Sequence, residues 1–175
     1  MKKIILMAVV AIFSMTSCST YNSMVSKDEA VKTAWSNVET QYQRRADLIP
    51  NLVNTVKGYA AHESETLESV IAARSKATQI TVDPSNLTPE KLAEYQEAQG
   101  AVTSALGKLL AISESYPDLK ANQNFLELQA QLEGTENRIN EARRKFNNVA
   151  KEYNTAIRRF PKSILAGMFG FDKRA

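Results

Sequence analysis

The chain has 175 residues, of which 43% are hydrophobic and 23% are charged, so it is long enough to bury the core of one soluble domain. Its 22 basic and 19 acidic residues give a formal net charge of +3, which excludes the strong basic excess typical of a nucleic-acid-binding protein. With only 6 glycines, 5 prolines and no alternating strand-like run, the composition predicts an all-α protein.

The first predicted element is an export signal. Lys2 and Lys3 precede an apolar stretch over residues 4–15, and small residues follow it up to Cys18. A basic start, an apolar segment of about 7–15 residues and a small-residue exit are typical of a secretory signal. The apolar stretch would span only about 18 Å as a helix, against roughly 30 Å of bilayer hydrocarbon, so it is short for a transmembrane helix.

Cys18 is the only cysteine, so it cannot form a disulfide within the chain. Its position resembles the lipobox of bacterial lipoproteins, in which the cysteine is acylated and becomes the N-terminus, although Met15 stands where leucine is usual. The alternative is a free cysteine near an ordinary cleavage site. On this resemblance we predict lipidation of Cys18, and several acyl chains on that residue would hold the protein at a bilayer.

These features predict a lipoprotein-type signal peptide over residues 1–17 and a membrane-proximal tether over residues 18–26. The folded part is then expected outside the cytoplasm on a membrane of the cell envelope. In a cell with two membranes, this would be the outer membrane facing the periplasm. A single-pass N-terminal anchor is the alternative.

A long helix is predicted to begin near Ser26, where a hydroxyl and acidic residues suit a helix N-terminus. Its apolar face is formed by residues spaced three and four apart, namely Val31, Trp35, Val38, Tyr42, Ile49, Leu52, Val56 and Tyr59. Arg45 falls on the same face. Pro50 has no amide proton and clashes with the preceding turn, so we expect a kink or short break over residues 46–50.

Residues 83–86 are predicted to form a turn, and Thr88 followed by Pro89 is typical of a helix start. The helix that follows, over residues 89–114, has an apolar face formed by Leu92, Tyr95, Val102, Leu106 and Leu109. We expect it to end before Pro117.

The last long helix is predicted over residues 122–159, and its apolar residues recur in alternating steps of three and four. They are Phe125, Leu128, Leu132, Thr135, Ile139, Ala142, Phe146, Val149, Tyr153, Ala156 and Phe160. This heptad period is typical of left-handed supercoiled packing. We therefore predict an elongated antiparallel bundle of three to four long helices, over residues 27–160, with coiled-coil-like packing.

A polar layer is predicted to cross this bundle. Arg45 takes a core position in the first helix, and Glu133 and Glu136 flank an interruption in the last apolar stripe. We expect Arg45 to meet one of these carboxylates and to fix the register of the helices, since a buried ion pair often contributes little net stability. The alternative is that Arg45 extends to solvent past a thin part of the core.

The C-terminal segment, residues 161–175, is apolar and basic. One interpretation is an amphipathic tail that contacts a membrane surface. The other is a segment that folds back over the end of the bundle, which we favour because Gly167 and Gly170 would interrupt a long amphipathic helix.

Several stretches of the sequence resemble the LemA family. They include residues 44–53 (RRADLIPNLV), 116–121 (YPDLKA), 132–139 (LEGTENRI) and 169–171 (FGF), and the resemblance extends from about residue 21 to 171. It implies a helical bundle held at a bacterial membrane by its N-terminus, with some relatives associated with magnetosome membranes. It implies no catalytic residues. The chain departs from the family in having a lipoprotein-like signal where a full transmembrane helix is common, and in a shorter tail.

The sequence offers little for catalysis, and we predict neither an enzyme nor a cofactor or metal site. The single histidine, His62, precedes Glu63, but a zinc-protease helix would need a second histidine where Thr66 stands. A lone helical histidine is far more often a surface residue. Two functions therefore compete: an envelope scaffold or adaptor that binds another protein, and a carrier of a small apolar ligand. A ligand-sized cavity lined by Trp35, Tyr59 and Phe146 would favour the carrier.

Overall fold

The computed structural model describes the backbone of residues 2–174 and the side chains of residues 19–174. Every regular element in that part of the chain is helical, which confirms the all-α fold class. The helices are α1 Lys2–Lys57, α2 Ser64–Gln79, α3 Pro89–Ile112, α4 Pro117–Lys120, α5 Gln123–Arg158 and α6 Lys162–Phe169. Single turns of 3₁₀ helix, Pro84–Asn86 and Ser113–Ser115, flank α3.

The two longest helices, α1 and α5, make the most extensive contact between elements in the described chain. Lys27 pairs with Glu152 near the start of the described part of α1, whereas Thr55 accepts a hydrogen bond from Asn124 near its end. Residue numbers therefore rise along α1 as they fall along α5, and the two helices run in opposite directions. At 1.5 Å per residue, the 36 residues of α5 span about 54 Å.

Helix α1 differs from the predicted first helix at its N-terminus. It does not begin at Ser26 but continues without interruption from Lys2. Met24 is fully buried with the core residues of the bundle, so side-chain packing begins before Asp28. The predicted division at residue 26 between tether and bundle stays a prediction.

The prediction of a break at Pro50 is wrong, because α1 continues as a helix to Lys57. A proline leaves the carbonyl four residues earlier without its usual amide donor. That carbonyl belongs to Ala46, and Arg74 of α2 donates its Nε–H to it at 2.7 Å. A side chain from the neighbouring helix thus replaces the missing backbone donor.

Unlike the start of α1, the starts of α3 and α5 are at capping residues. Thr88 accepts a hydrogen bond from the amide of Lys91 at the start of α3, as predicted, and Asn122 accepts one from the amide of Phe125 at the start of α5. The stripe of α5 is buried over most of the predicted positions, but Phe160 lies beyond the helix and is 82% exposed. The prediction that Phe160 belongs to the core is wrong.

The core is divided into two clusters along the bundle. One contains Met24, Trp35, Tyr42, Tyr95 and Phe146, and we call it the near core. The other, the far core, contains residues from each of the helices α1 to α5, including Ile49, Leu52, Val102, Leu109, Leu119 and Leu132. We call the end of the bundle that holds Tyr21, residues 82–88 and α6 the near end. The far end is formed by residues 58–63 and α4.

The C-terminal segment folds back onto the near end. Helix α6 contacts α1 and α5, and Ala166 is buried in the near core. Tyr153 donates its hydroxyl to the carbonyl of Asp172, and the Asn154 side chain exchanges two hydrogen bonds with the backbone of Arg174. The segment is therefore attached to α5 both before and after the turn at Gly170.

Candidate functional site: a polar layer around Arg45

Arg45 is the most buried charged residue of the described chain, with 2% of its surface exposed. It lies on the inner face of α1, one turn after Tyr42 of the near core and one turn before Ile49 of the far core. A buried guanidinium loses its hydration and must recover hydrogen bonds from the protein. Arg45 therefore marks a polar layer between two apolar clusters.

The guanidinium is held by groups from two other helices. Its Nη1 donates to Glu136 Oε2 of α5 at 3.0 Å and to Thr103 Oγ1 of α3 at 2.7 Å. Its Nη2 donates to the carbonyl and to the side-chain Oε1 of Gln99, at 2.9 and 2.8 Å. Because these acceptors come from α3 and α5 at once, Arg45 connects three helices at a single level of the bundle.

The structure brings together only some of the residues that the sequence placed in this layer. Arg45 and Glu136 form an ion pair, whereas Glu133 is exposed and accepts a hydrogen bond from Gln129 on its own helix. The side chain of Cys18, the predicted lipidation site, lies outside the residues whose side chains are described. The role of the layer in fixing register stays a prediction.

Two members of the layer, Gln99 and Thr103, were missed by the sequence analysis. Gln99 stands four residues after Tyr95 and three before Val102, so it fills a gap in the apolar face of α3. It is buried, and Thr103 also donates its hydroxyl to the Gln99 carbonyl at 3.2 Å. Gln99 occupies an apolar position of α3, as Arg45 does on α1. This shared feature of the sequence could have predicted that the two residues meet.

An aromatic cluster borders the layer on its near side. The Arg45 guanidinium lies 5.1 Å from the centre of the Tyr42 ring, and the rings of Trp35, Tyr42, Tyr95 and Phe146 meet edge to face. Burial raises the pKa of Tyr95 above its usual range, and the negative charge of Glu39 adds to the rise. Burial likewise raises the pKa of Tyr42, although Arg143 and Arg45 oppose the rise. Both phenols therefore stay neutral at physiological pH.

Two small cavities adjoin the layer. The first, of about 120 Å³, lies between α1, α2 and α3, where Glu39, Arg74 and Gln99 line it. The second is a groove of about 220 Å³ between α3 and α5. Its floor is apolar, from Leu106, Leu110 and Leu132, and Glu133 and Glu136 lie at its edge. Both are smaller than the roughly 300 Å³ at which drug-sized ligand pockets begin.

The proposed ligand cavity among Trp35, Tyr59 and Phe146 is not formed. The space beside Trp35 and Phe146 is only about 10 Å³, because the ring of Tyr95 fills it. Tyr59 lies at the far end instead, exposed, where its hydroxyl accepts a hydrogen bond from Asn122.

One nitrogen of the Arg45 guanidinium, the buried Nε, has no hydrogen-bond partner among the described residues. Both terminal nitrogens of the guanidinium already donate to protein acceptors, so neither is free to bind a substrate. His62 is exposed in the connection between α1 and α2. Among the described residues, no three histidine, cysteine, aspartate or glutamate side chains come together in a way that could hold a metal ion.

Comparison with known proteins decides the family. The model of the LemA family matches residues 34–175, which include the whole polar layer and the folded C-terminal segment. The chain belongs to the LemA family. Its resemblance to that family at residues 44–53 and 132–139 is thus confirmed, and those stretches contain Arg45 and Glu136.

Two similar proteins come from different bacteria. Magnetosome protein MamQ of Magnetospirillum gryphiswaldense is 29% identical over 178 residues, which cover 92% of this chain and 65% of that protein. Protein LemA of Metamycoplasma hominis is 26% identical, over 90% of this chain and 68% of that protein. The chain thus spans about two thirds of the length of these relatives. Within the described residues, no helix combines the length and the apolar character needed to cross a bilayer.

Proposed function

We propose that this LemA-family chain is a membrane-held scaffold or adaptor of the bacterial cell envelope, without catalytic activity of its own. The observation that carries the proposal is the filled interior. Arg45, Gln99 and Glu136 join three helices by direct hydrogen bonds inside the bundle. Because large side chains fill the core, the outer surface is the part of the bundle that can bind a partner.

The anchor in this proposal is Cys18, acylated after removal of residues 1–17. The family match and the names of the relatives support association with a membrane, and the basic start, apolar stretch and small-residue exit of the sequence support export. The bundle would then lie outside the cytoplasm with its near end toward the bilayer. The alternative remains a single-pass anchor formed by the same residues.

The partner in this proposal is a protein, and the groove between α3 and α5 is its binding site. The groove has an apolar floor of three leucines, and Glu133 lies beside it while Glu136 is already paired with Arg45, which suits an apolar side chain with one basic neighbour. The opposite direction of α1 and α5 and the heptad spacing of α5 also support coiled-coil packing of these two helices. Such packing would make the groove a stiff surface.

A carrier of a small apolar ligand is the less favoured alternative. The aromatic side chains that would line its cavity contact one another instead, with ring centres of Trp35 and Phe146 at 5.3 Å. No observation in the described residues favours this function over the scaffold.

Site-specific photo-crosslinking in intact cells tests the adaptor function. Gly107 lines the groove and Gly100 lies two turns earlier on the same helix outside it, and a side chain added at either meets no neighbouring atom within 4 Å. A photo-reactive amino acid at position 107 should give a discrete crosslinked protein band, identifiable by mass spectrometry. The same group at position 100 should give a much weaker band. Equal labelling at both positions, or none at 107, would contradict the groove as the binding site.

A further inference from the structure

The outward face of α6 is apolar. Ile164 and Met168 lie one turn apart on this helix, opposite the buried Ala166, and are 56% and 72% exposed. Phe169 and the preceding Phe160 are 55% and 82% exposed. Three large apolar side chains of one short helix, together with Phe160 just before it, are thus exposed at one end of the bundle, which is unusual for a soluble surface.

The position of α6 relates this surface to the N-terminal part of α1. The ring of Tyr21 lies 4.9 Å from that of Phe169 and 5.6 Å from that of Phe171. Tyr21 is only three residues after Cys18, on the same continuous helix that contains residues 2–18. The apolar face of α6 is therefore at the end of the bundle where the proposed anchor begins.

Positive charge lies beside this surface, next to Phe160. An open cavity of about 640 Å³ beside Phe160 and Pro161 is lined by four basic side chains, Lys27, Lys151, Arg159 and Lys162, and by one carboxylate, Glu152. Glu152 pairs with Lys27 at 3.4 Å, so three of the cations have no carboxylate partner within salt-bridge distance in the described chain. Apolar side chains next to a cluster of Lys and Arg are typical of a segment that lies in the headgroup region of an anionic bilayer.

We propose that α6 and Phe160 form a second membrane contact, in which Phe160, Ile164, Met168 and Phe169 enter the interface of an anionic bilayer and the cavity beside Pro161 binds lipid phosphates. This inference rests on the proposed anchor, because Cys18 brings the near end to the bilayer. The C-terminal segment thus both folds back onto the bundle and contacts the membrane. Two points of contact would hold the long axis of the bundle at a fixed angle to the membrane.

The test uses the full chain, isolated from membranes and reconstituted in vesicles of phosphatidylcholine with phosphatidylglycerol that contain a phospholipid with a photo-reactive group in its acyl chain. Mass spectrometry should find lipid adducts on the peptide containing residues 160–169 and on the N-terminal peptide. Replacing Ile164 and Met168 by Glu should reduce the adducts on α6 at least severalfold. The same change at Ile71 and Leu126, two other exposed apolar residues, should leave them unchanged.

A second pair of variants tests the charge. Arg159→Glu with Lys162→Glu should lower the yield of α6 adducts by about fivefold or more for each basic residue, because each contributes about 1 kcal/mol near an anionic surface. Lys108→Glu with Arg138→Glu, both exposed elsewhere on the bundle, is the matched control. In vesicles of phosphatidylcholine alone, the wild-type adducts on α6 should fall to a similar extent.

Three results would overturn the inference. Adducts on the N-terminal peptide without adducts on α6 would leave the anchor standing and remove the second contact. Crosslinks from α6 to a protein or to a second copy of the chain in place of lipid would make the surface a protein interface. Absence of adducts from both peptides would contradict the anchor of the proposed function as well.

Discussion

The two ends of the bundle differ in the contacts that their surface side chains make. At the far end, side chains at the surface are tied by polar contacts: the hydroxyl of Tyr116 donates to Glu63 at 3.1 Å, and Asn122 donates to the hydroxyl of Tyr59 at 2.9 Å. At the near end, Ile164 and Met168 expose groups that cannot form such bonds. The near end instead holds its tail by a buried ion pair between Asp28 and Arg174.

This difference is consistent with the proposed membrane contact of the near end. Hydrogen-bonded aromatic and amide groups are compatible with water, whereas exposed aliphatic groups beside basic residues are compatible with a bilayer surface. The buried ion pair keeps the tail folded on the bundle while its apolar face stays outward. Changing the contacts at each end, and at the polar layer between them, should separate stability from membrane contact.

The largest loss of stability should come from the layer midway between the ends. Arg45→Ala removes a packed side chain and leaves the buried side chain of Gln99 without its donor, so we expect a loss of about 3–5 kcal/mol in the free energy of unfolding. Urea denaturation followed by circular dichroism measures it. Arg44→Ala, at the exposed neighbouring position, should change the free energy of unfolding by less than about 0.5 kcal/mol.

Arg45→Leu tests the register role of the layer separately from its stability. If the polar layer fixes register, the leucine variant should show a changed oligomeric state or a less cooperative transition. A variant with an unchanged oligomeric state, measured by light scattering, and an equal or higher melting temperature would remove support for that role.

The next largest effect should appear at the near end. Asp28 is buried and accepts from Arg174 at 3.0 and 2.9 Å, while Lys32 lies 3.0 Å from its other oxygen. Asp28→Ala should lower the free energy of unfolding by about 2–4 kcal/mol, because two cations lose their common carboxylate. Hydrogen exchange should show faster exchange in residues 162–174. Unchanged exchange there would mean that the ion pair does not hold the tail.

The corresponding change at the far end should be smaller. Glu63→Ala removes a hydrogen bond from a partly exposed tyrosine, which is expected to lower the free energy of unfolding by about 0.5–1 kcal/mol. The same urea experiment measures it. A loss as large as that of Asp28→Ala would contradict the contrast between a buried charge at one end and surface contacts at the other.

The smallest effect concerns pH and one tyrosine at each end. Burial raises the pKa of Tyr153, and the hydrogen bond to Glu63 raises the pKa of Tyr116, each above the ordinary 10.0. Each folded phenol keeps its proton longer than the unfolded chain does. The free energy of unfolding should therefore be unaffected by these groups below about pH 10 and decrease as the pH rises above it.

Absorbance at 295 nm during alkaline titration checks this. Tyr153→Phe and Tyr116→Phe should each remove one tyrosine ionisation from the part of the titration curve above pH 10. Removal of ionisation near pH 10 instead would show that the pKa of the replaced tyrosine is not raised.

Features of the fold that depend on local chemistry could be predicted from the sequence. The caps at Thr88 and Asn122 and the stripe of α5 follow from residue type and spacing along one helix. The continuity of α1 through Pro50 could not, because it depends on Arg74 of another helix supplying a donor to Ala46. Spacing along one helix does not show which side chain of a neighbouring helix reaches it.

The candidate site was predictable to a similar extent. A charged residue at an apolar position, Arg45, indicated a polar layer, and Glu136 was one of two carboxylates considered for it. The choice between Glu133 and Glu136 depends on how α5 is rotated about its axis. The contact of Gln99 with Arg45 depends on the level at which α3 packs beside α1. Neither can be read from the spacing of residues along one helix. The exposed apolar face of α6 was not predicted either. From the sequence, docking on the bundle and contact with a membrane were treated as alternatives, whereas a docked helix can still expose one apolar face.

The most direct test of the envelope anchor is the chemical state of Cys18 in the native bacterium. The protein should be purified separately from membrane and soluble fractions, and its N-terminal peptide analysed by mass spectrometry. We expect the protein in the membrane fraction, beginning at Cys18 and carrying acyl chains on that residue. Recovery of the protein mainly from the soluble fraction, with residues 1–17 present and Cys18 unmodified, would contradict the anchor and the scaffold function built on it.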